Sequence, residues 1–66
     1  MNTDMCWKWI ILKDGEYLMA AVNGKPRWSK NKSDAVQIDF FSDAIRVAEK
    51  VNGSVRRFNT VTREVK

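Results

Sequence analysis

The chain contains no histidine, one cysteine (Cys6), one proline (Pro26) and three glycines in 66 residues. Each scarcity removes a class of protein. Without histidine, one chain cannot assemble a Ser-His-Asp or Cys-His nucleophile system, nor a Cys/His zinc centre. A lone cysteine cannot close an intrachain disulfide, so no disulfide framework holds the fold, and an unpaired thiol suits a reducing compartment. Long apolar runs are missing too. The aliphatic stretches at 10–12 and 18–22 fall far short of the ~20 residues a membrane helix needs. Asp4 precedes the first apolar run and no small-residue cleavage site follows it, so the expected location is the cytoplasm, with no membrane partner.

The motifs of chemistry are equally scarce. There is no glycine-rich phosphate loop, no nucleophile elbow and no acid–base carboxylate pair in recognisable context. Asp34, Asp39 and Asp43 lack the spacing of a calcium loop and the glycine at its turn. They suit a turn, a solvent-facing strand position and the positive end of a helix dipole, respectively. Cys6 has no nearby base to activate it and reads as inert. An enzyme, a cofactor and a metal site are therefore not expected.

What is present is a globular composition, 44% apolar and 30% charged, with three tryptophans and a net charge of +4. A chain this short buries only roughly 60% of its unfolded surface, too little to enclose both a core and a deep pocket. It is a single small domain, with residues 1–6 expected to be loosely held and 60–66 a candidate tail. The charge is segregated. Residues 25–33 carry Lys25, Arg27, Lys30 and Lys32 with no acid, 54–66 sum to +3, and the remainder sums to −3.

Along the chain, Asp14-Gly15 between two strand-rich stretches (8–13 and 16–22) marks a two-residue type I′ hairpin turn. That turn implies a register in which facing residues sum to 29. Leu12 then faces Tyr17, Ile11 faces Leu18, Trp9 faces Ala20 and Trp7 faces Val22. Both faces of the hairpin are largely apolar. Asn23-Gly24-Lys25-Pro26 is a second turn leading into a short strand at 27–29. Residues 35–40 alternate, with Val36, Ile38 and Phe40 on one side and Gln37 and Asp39 on the other, while Ser33-Asp34 also suits the opening of a short helical turn. Ser42 reads as a helix N-cap and Asn52-Gly53 as the stop, with Ala44, Ile45, Ala48 and Val51 as the apolar stripe of a helix over 43–51. Residues 54–59 form a last strand that continues toward Val65. Val55 and Phe58 fall on opposite sides of it, which a bulge near Arg56-Arg57 would reconcile.

The fold class is α+β: a small, mainly antiparallel sheet of three to five strands with one helix on one face, in the order strand, strand, short strand, strand, helix, strand. A nine-residue helix covers only one face, so some aromatic surface is left for a partner.

The candidate interaction strip is Lys25, Arg27, Trp28, Lys30 and Lys32, where bases interleave with an aromatic. Arg56 and Arg57 support it, and Arg56, Arg57 and Arg63 together with this first basic segment form a candidate phosphate or acidic-protein clamp. Two plainer readings stand beside these: Trp28 as a core residue of a solvated hairpin, and the arginines as charges that block edge-to-edge aggregation. Trp7 and Trp9, two residues apart, share a face as core residues or as interface anchors.

The hairpin WKWIILKDGEYLMAAVNGKPRWS followed by DAVQIDFFSDAIRVAEKVNGSVRRF resembles small proteins carried by phages and prophages. Many of those run strand, strand, strand, helix, strand and open the helix with a phrase like Phe41-Ser42-Asp43-Ala44-Ile45. The likeness spans 7–58 and carries over no binding residues. It implies a class: compact proteins that adhere to host machinery, anti-CRISPR and other anti-defence inhibitors among them. Gly15-Glu16-Tyr17, Asn23-Gly24 and the helix are also similar to tandem-repeat sheet–helix domains of bacteria, here as one unit. The leading expectation is a non-enzymatic binding protein that occupies a host protein or nucleoprotein surface. The alternatives are a basic protein that binds DNA or RNA with little sequence preference, and a structural homodimer.

Overall fold

The computed structural model describes residues 6–22 and 24–66. The loosely held N-terminal segment expected at 1–6 lies, through residue 5, outside the described residues. The fold is α+β. Strands β1 (Trp7–Lys13), β2 (Glu16–Val22), β3 (Lys25–Ser29) and β4 (Ser54–Asn59) form one antiparallel sheet in the order β3-β2-β1-β4. Helix α1 (Phe41–Val51) packs on one face.

Asp14 and Gly15 both adopt positive φ, 52° and 79°, as a type I′ turn demands. The expected register holds at the turn, where Lys13 faces Glu16 and Leu12 faces Tyr17. It then stops. Trp9 donates its N–H to the Ile38 carbonyl at 2.9 Å and accepts from the Ile38 N–H at 2.8 Å, while Val36 donates to the Leu18 carbonyl at 2.9 Å. The alternating segment 35–39 thus enters the gap between β1 and β2, in place of the pairings of Trp9 with Ala20 and Trp7 with Val22. Trp9 and Ile38 form a single bridge there. Lys8 and Asp39 stand across from each other beside it and form an ion pair. A bulge in β2 between Leu18 and Ala20 marks where that strand departs.

The β2–β3 hairpin therefore continues on its own as a two-stranded arm, with Val22 paired to Lys25 at its tip and Gly24 at φ 75°. Pro26 sits on the sheet's outer strand, where its missing N–H breaks no ladder.

Two apolar clusters form, one on each face. On the helix side, Ile11, Leu18, Ala44, Ala48 and Val51 are buried, with Trp9, Trp28, Val36, Ile38 and Val55 packed against them. On the other face, Ile10, Ala35 and Phe58 are buried beside Leu12, Tyr17 and Val65. This explains Val55 and Phe58 without the bulge expected near Arg56-Arg57. Strand β4 pairs with β1 over six consecutive residues without a shift, and each of its faces has its own core to fill. Residues 60–66 fold back on β4, with Phe58 bridging Val65 and Arg57 exchanging both backbone hydrogen bonds with Lys66.

The helix starts earlier than Ser42 suggests. Phe40, extended at φ −112° and ψ 133°, is the N-cap and makes no side-chain cap bond. The Phe41 ring packs on Trp9 with centroids 4.7 Å apart, and this contact holds the first turn, leaving Ser42 inside it. Asp43 keeps its place in that first turn, favourable to the dipole, and Asn52 ends the helix in the left-handed region at φ 57°. Among the described residues no helix is long and apolar enough to cross a membrane.

Candidate functional site

The strip singled out in the sequence is split by the fold into a cationic part and a structural part. Lys25, Arg27, Lys30 and Lys32 are all exposed. Trp28 is half-buried against the helix-side core, and the Lys13 ammonium lies 5.9 Å from its ring centroid. Strand alternation decides this separation: in β3, Lys25, Arg27 and Ser29 point to one face and Pro26 and Trp28 to the other. Trp28 faces the helix, so Lys25 and Arg27 lie on the helix-free face.

Lys30 and Lys32 follow in a loop built on short polar bonds. The Asn31 side-chain oxygen accepts the Ser33 N–H at 3.1 Å and the Ser33 hydroxyl at 2.7 Å, capping a one-turn 3-10 helix at Lys32–Asp34. The Ser29 hydroxyl donates to Asp34 at 2.8 Å. This loop fixes the base of the arm and brings Ala35 to the sheet.

Arg56 and Arg57 do not join this strip. They lie on β4, at the opposite edge of the sheet from β3, with β2 and β1 between. They also point to opposite faces: Arg57 shares the face of Val55, and Arg56 that of Phe58. The Arg57 guanidinium stands 5.0 Å from the centroid of Trp7, and the Lys66 ammonium 5.2 Å from the same ring, within the range of cation–π attraction. Arg63 covers Phe58 at 5.8 Å on the other face. No contiguous clamp joins the two basic segments. The fold makes two basic edges instead. Lys66 was not singled out as part of a site in the sequence; its only signal was the apolar Val65 continuing the last strand.

Among the described residues the sole ion pair within 4.0 Å is Lys8–Asp39, so the cations of both edges have no carboxylate partner at that distance. The outer side of the helix, with Asp43, Arg46, Glu49 and Lys50, is balanced. A wide groove between the end of α1 and the start of β4, lined by Ile45, Ala48, Glu49, Asn52 and Val55, holds one carboxylate and no base. Among the described residues no three His, Cys, Asp or Glu side chains gather where a metal ion could sit. The exposed aromatics are Phe40 and Phe41, 68% and 51% accessible, beside Ile45 at the start of the helix. All three tryptophans are half-buried.

In comparisons with protein-family models, with curated proteins and with solved structures, nothing matches the chain.

Proposed function

We propose that this chain is a non-enzymatic binding module that engages the phosphate backbone of a nucleic acid, free or within a nucleoprotein complex, through its β2–β3 arm. One observation carries the reading: Lys25, Arg27, Lys30 and Lys32 are exposed on the arm and its base, with no acid anywhere in 17–33. Protein interfaces of high affinity are built on buried aromatic or arginine anchors in pockets. Here the arm's one tryptophan is committed to the core, and its one arginine, Arg27, is exposed among lysines rather than seated with an aromatic, so charge is the arm's main means of recognition. Such a cluster of cations suits phosphates, whose contribution is large and independent of sequence.

The test is binding of a fluorescent 20-base-pair DNA and of its single strands across a salt series. The Lys25→Gln/Arg27→Gln variant should flatten the dependence on duplex by about 1.8, at about 0.9 for each phosphate no longer neutralised. Absence of wild-type binding to duplex and single strands at low salt would overturn the reading.

Exposed Phe40, Phe41 and Ile45 favour a second reading, in which the module occupies a protein surface of host machinery as an inhibitor. The resemblance to phage accessory proteins points the same way. Recovery of one specific protein from nuclease-treated lysate, abolished in Phe40→Ser but kept in Lys25→Gln/Arg27→Gln, would decide for it.

A further inference from the structure

We infer that the β4 edge is the second half of the same surface, and that its ligand is a B-form duplex straddled by the sheet, one cationic edge on each backbone. The inference rests on the reading above and adds the class of nucleic acid. Lys25 and Arg27 lie at the β3 edge of the helix-free face. Arg56, by strand alternation, and Arg63, over the ring of Phe58, lie at its β4 edge. At the level of Arg27, which pairs with Ala20 beyond the β2 bulge, β2, the inserted segment 35–39 and β1 lie between the edges, so four inter-strand spacings give a span of about 19 Å. A B-DNA major groove is about 12 Å wide. The span therefore reaches from one backbone to the other, whereas a single strand offers only one backbone to contact.

The middle of the face points the same way. Non-specific single-strand binders stack successive bases on exposed aromatics. Here Trp9 and Trp28 pack in the helix-side cluster, Trp7 shares the face of Trp9, and the exposed Phe41 stands against Trp9. Among the described residues the helix-free face keeps only Tyr17, half-buried, and Phe58, buried under Arg63. The centre of the face is the apolar cluster of Ile10, Ala35 and Phe58 with Leu12, Tyr17 and Val65, and the internally paired Lys8 and Asp39 stand beside it. The unpaired cations of the face lie at its rims, where the two phosphate chains of a duplex lie.

The β4 edge is also held in place. Arg56 belongs to the regular β1–β4 ladder, and Arg63 stands at the end of a turn closed by its N–H to the Asn59 carbonyl at 2.8 Å.

The experiment measures anisotropy of a fluorescent 20-base-pair duplex and of each strand alone against salt. It compares wild type with Arg56→Gln/Arg63→Gln, with Arg56→Gln alone, and with Arg46→Gln/Lys50→Gln on the outer side of the helix. The last pair removes the same net charge away from the proposed surface. Circular dichroism checks each fold. The edge pair should lower the duplex slope by about 1.8 and the single change by about 0.9. The helix pair should leave it in place, and single-strand affinity should stay within twofold throughout. An unchanged duplex slope in folded Arg56→Gln, or an equal loss in the helix pair, overturns the straddling model while the arm reading stands. Preference for single strands over duplex does the same. Failure of wild type to bind either probe overturns both.

Discussion

Replacing Asn59 by alanine should detach the C-terminal segment from the sheet. Asn59 is 1% exposed, and its side-chain oxygen accepts the N–H groups of Val61 and Thr62, each at 2.9 Å. Those two bonds close the turn that returns 60–66 to β4, where Arg57 and Lys66 exchange backbone bonds at 3.2 and 2.9 Å. A net hydrogen bond contributes about 0.5–1.5 kcal/mol. Val61 and Thr62 are exposed although both bonds are part-buried, so the freed N–H groups regain water once the segment lifts and the lost bonds dominate the cost. The direct loss is then about 2 kcal/mol for the pair. For a domain of this size that is a fall in Tm of roughly 8–16 °C. Serine at the same position offers a shorter acceptor suited to the same turn, and Asn59→Ser should recover about half of the loss.

Urea titration followed by tryptophan fluorescence gives the free energies. Hydrogen exchange at the Arg57 and Lys66 amides reports whether the segment has opened. If Asn59→Ala lies within about 0.5 kcal/mol of wild type, where ordinary surface changes fall, the turn is not what holds the segment. A serine variant as unstable as alanine would refute the acceptor role itself.

Three further substitutions test how the interior is packed. A Cβ at Gly53 would lie 2.5 Å from Ile11 Cγ2 and 3.2 Å from the Leu12 carbonyl oxygen, so Gly53→Ala should destabilise by about 1–3 kcal/mol through overpacking, read from the urea midpoint. The segment between β1 and β2 is anchored on its helix side: Ile38→Ala should cost about 2 kcal/mol, the low end for a half-buried isoleucine, while Gln37→Ala on the exposed side should stay within about 0.5 kcal/mol. Equal effects at the two positions would mean the segment is not seated as described.

Local chemistry was readable because it depends on neighbours in the chain. Asp14-Gly15 demanded positive φ at two positions, and Asn52-Gly53 a left-handed stop, whatever the rest of the fold does. The alternation expected over 35–40 was readable for the same reason as far as Ile38, since Val36 and Ile38 share the helix side. The segment makes a single bridge rather than a strand, and Phe40 is exposed and caps the helix instead. What that segment pairs with was not readable. The free edge of β1 had two claimants, β2 through the hairpin turn and Ile38 through a long connection, and only the packed molecule decides between them. The same competition hid the bulge in β2. Val55 and Phe58 look irregular only if a single face of β4 is buried, whereas each face has its own apolar cluster.

For the candidate site, exposure of Lys25, Arg27, Lys30 and Lys32 followed from polarity alone. The commitment of Trp28 to the core needed the helix above it. The separation of Arg56 and Arg57 from the strip needed the strand order, because residues distant in sequence reach one edge or the other only through topology.

The two clusters take up the inner positions of both faces and leave the rim as the place where charge collects. Two demands meet there. An edge strand needs charge to prevent sheet-to-sheet pairing, and a polyanion needs positive charge of defined position. Lysine and arginine satisfy both, but only the second demand depends on sign. Lys25→Glu/Arg27→Glu keeps the edge charged and reverses its sign, whereas Lys25→Thr/Arg27→Thr leaves it neutral and strand-prone. The reversed variant should lose duplex binding yet sediment as a single species. The neutral variant should lose affinity and begin to self-associate. Reversal brings the formal net charge from +4 to zero, which by itself promotes association. Arg46→Glu/Lys50→Glu reaches the same net charge on the helix and sets that baseline. If the reversed arm associates beyond this baseline, as the neutral arm does, charge at β3 does not guard the edge. The lysine and arginine there are then explained by the ligand alone.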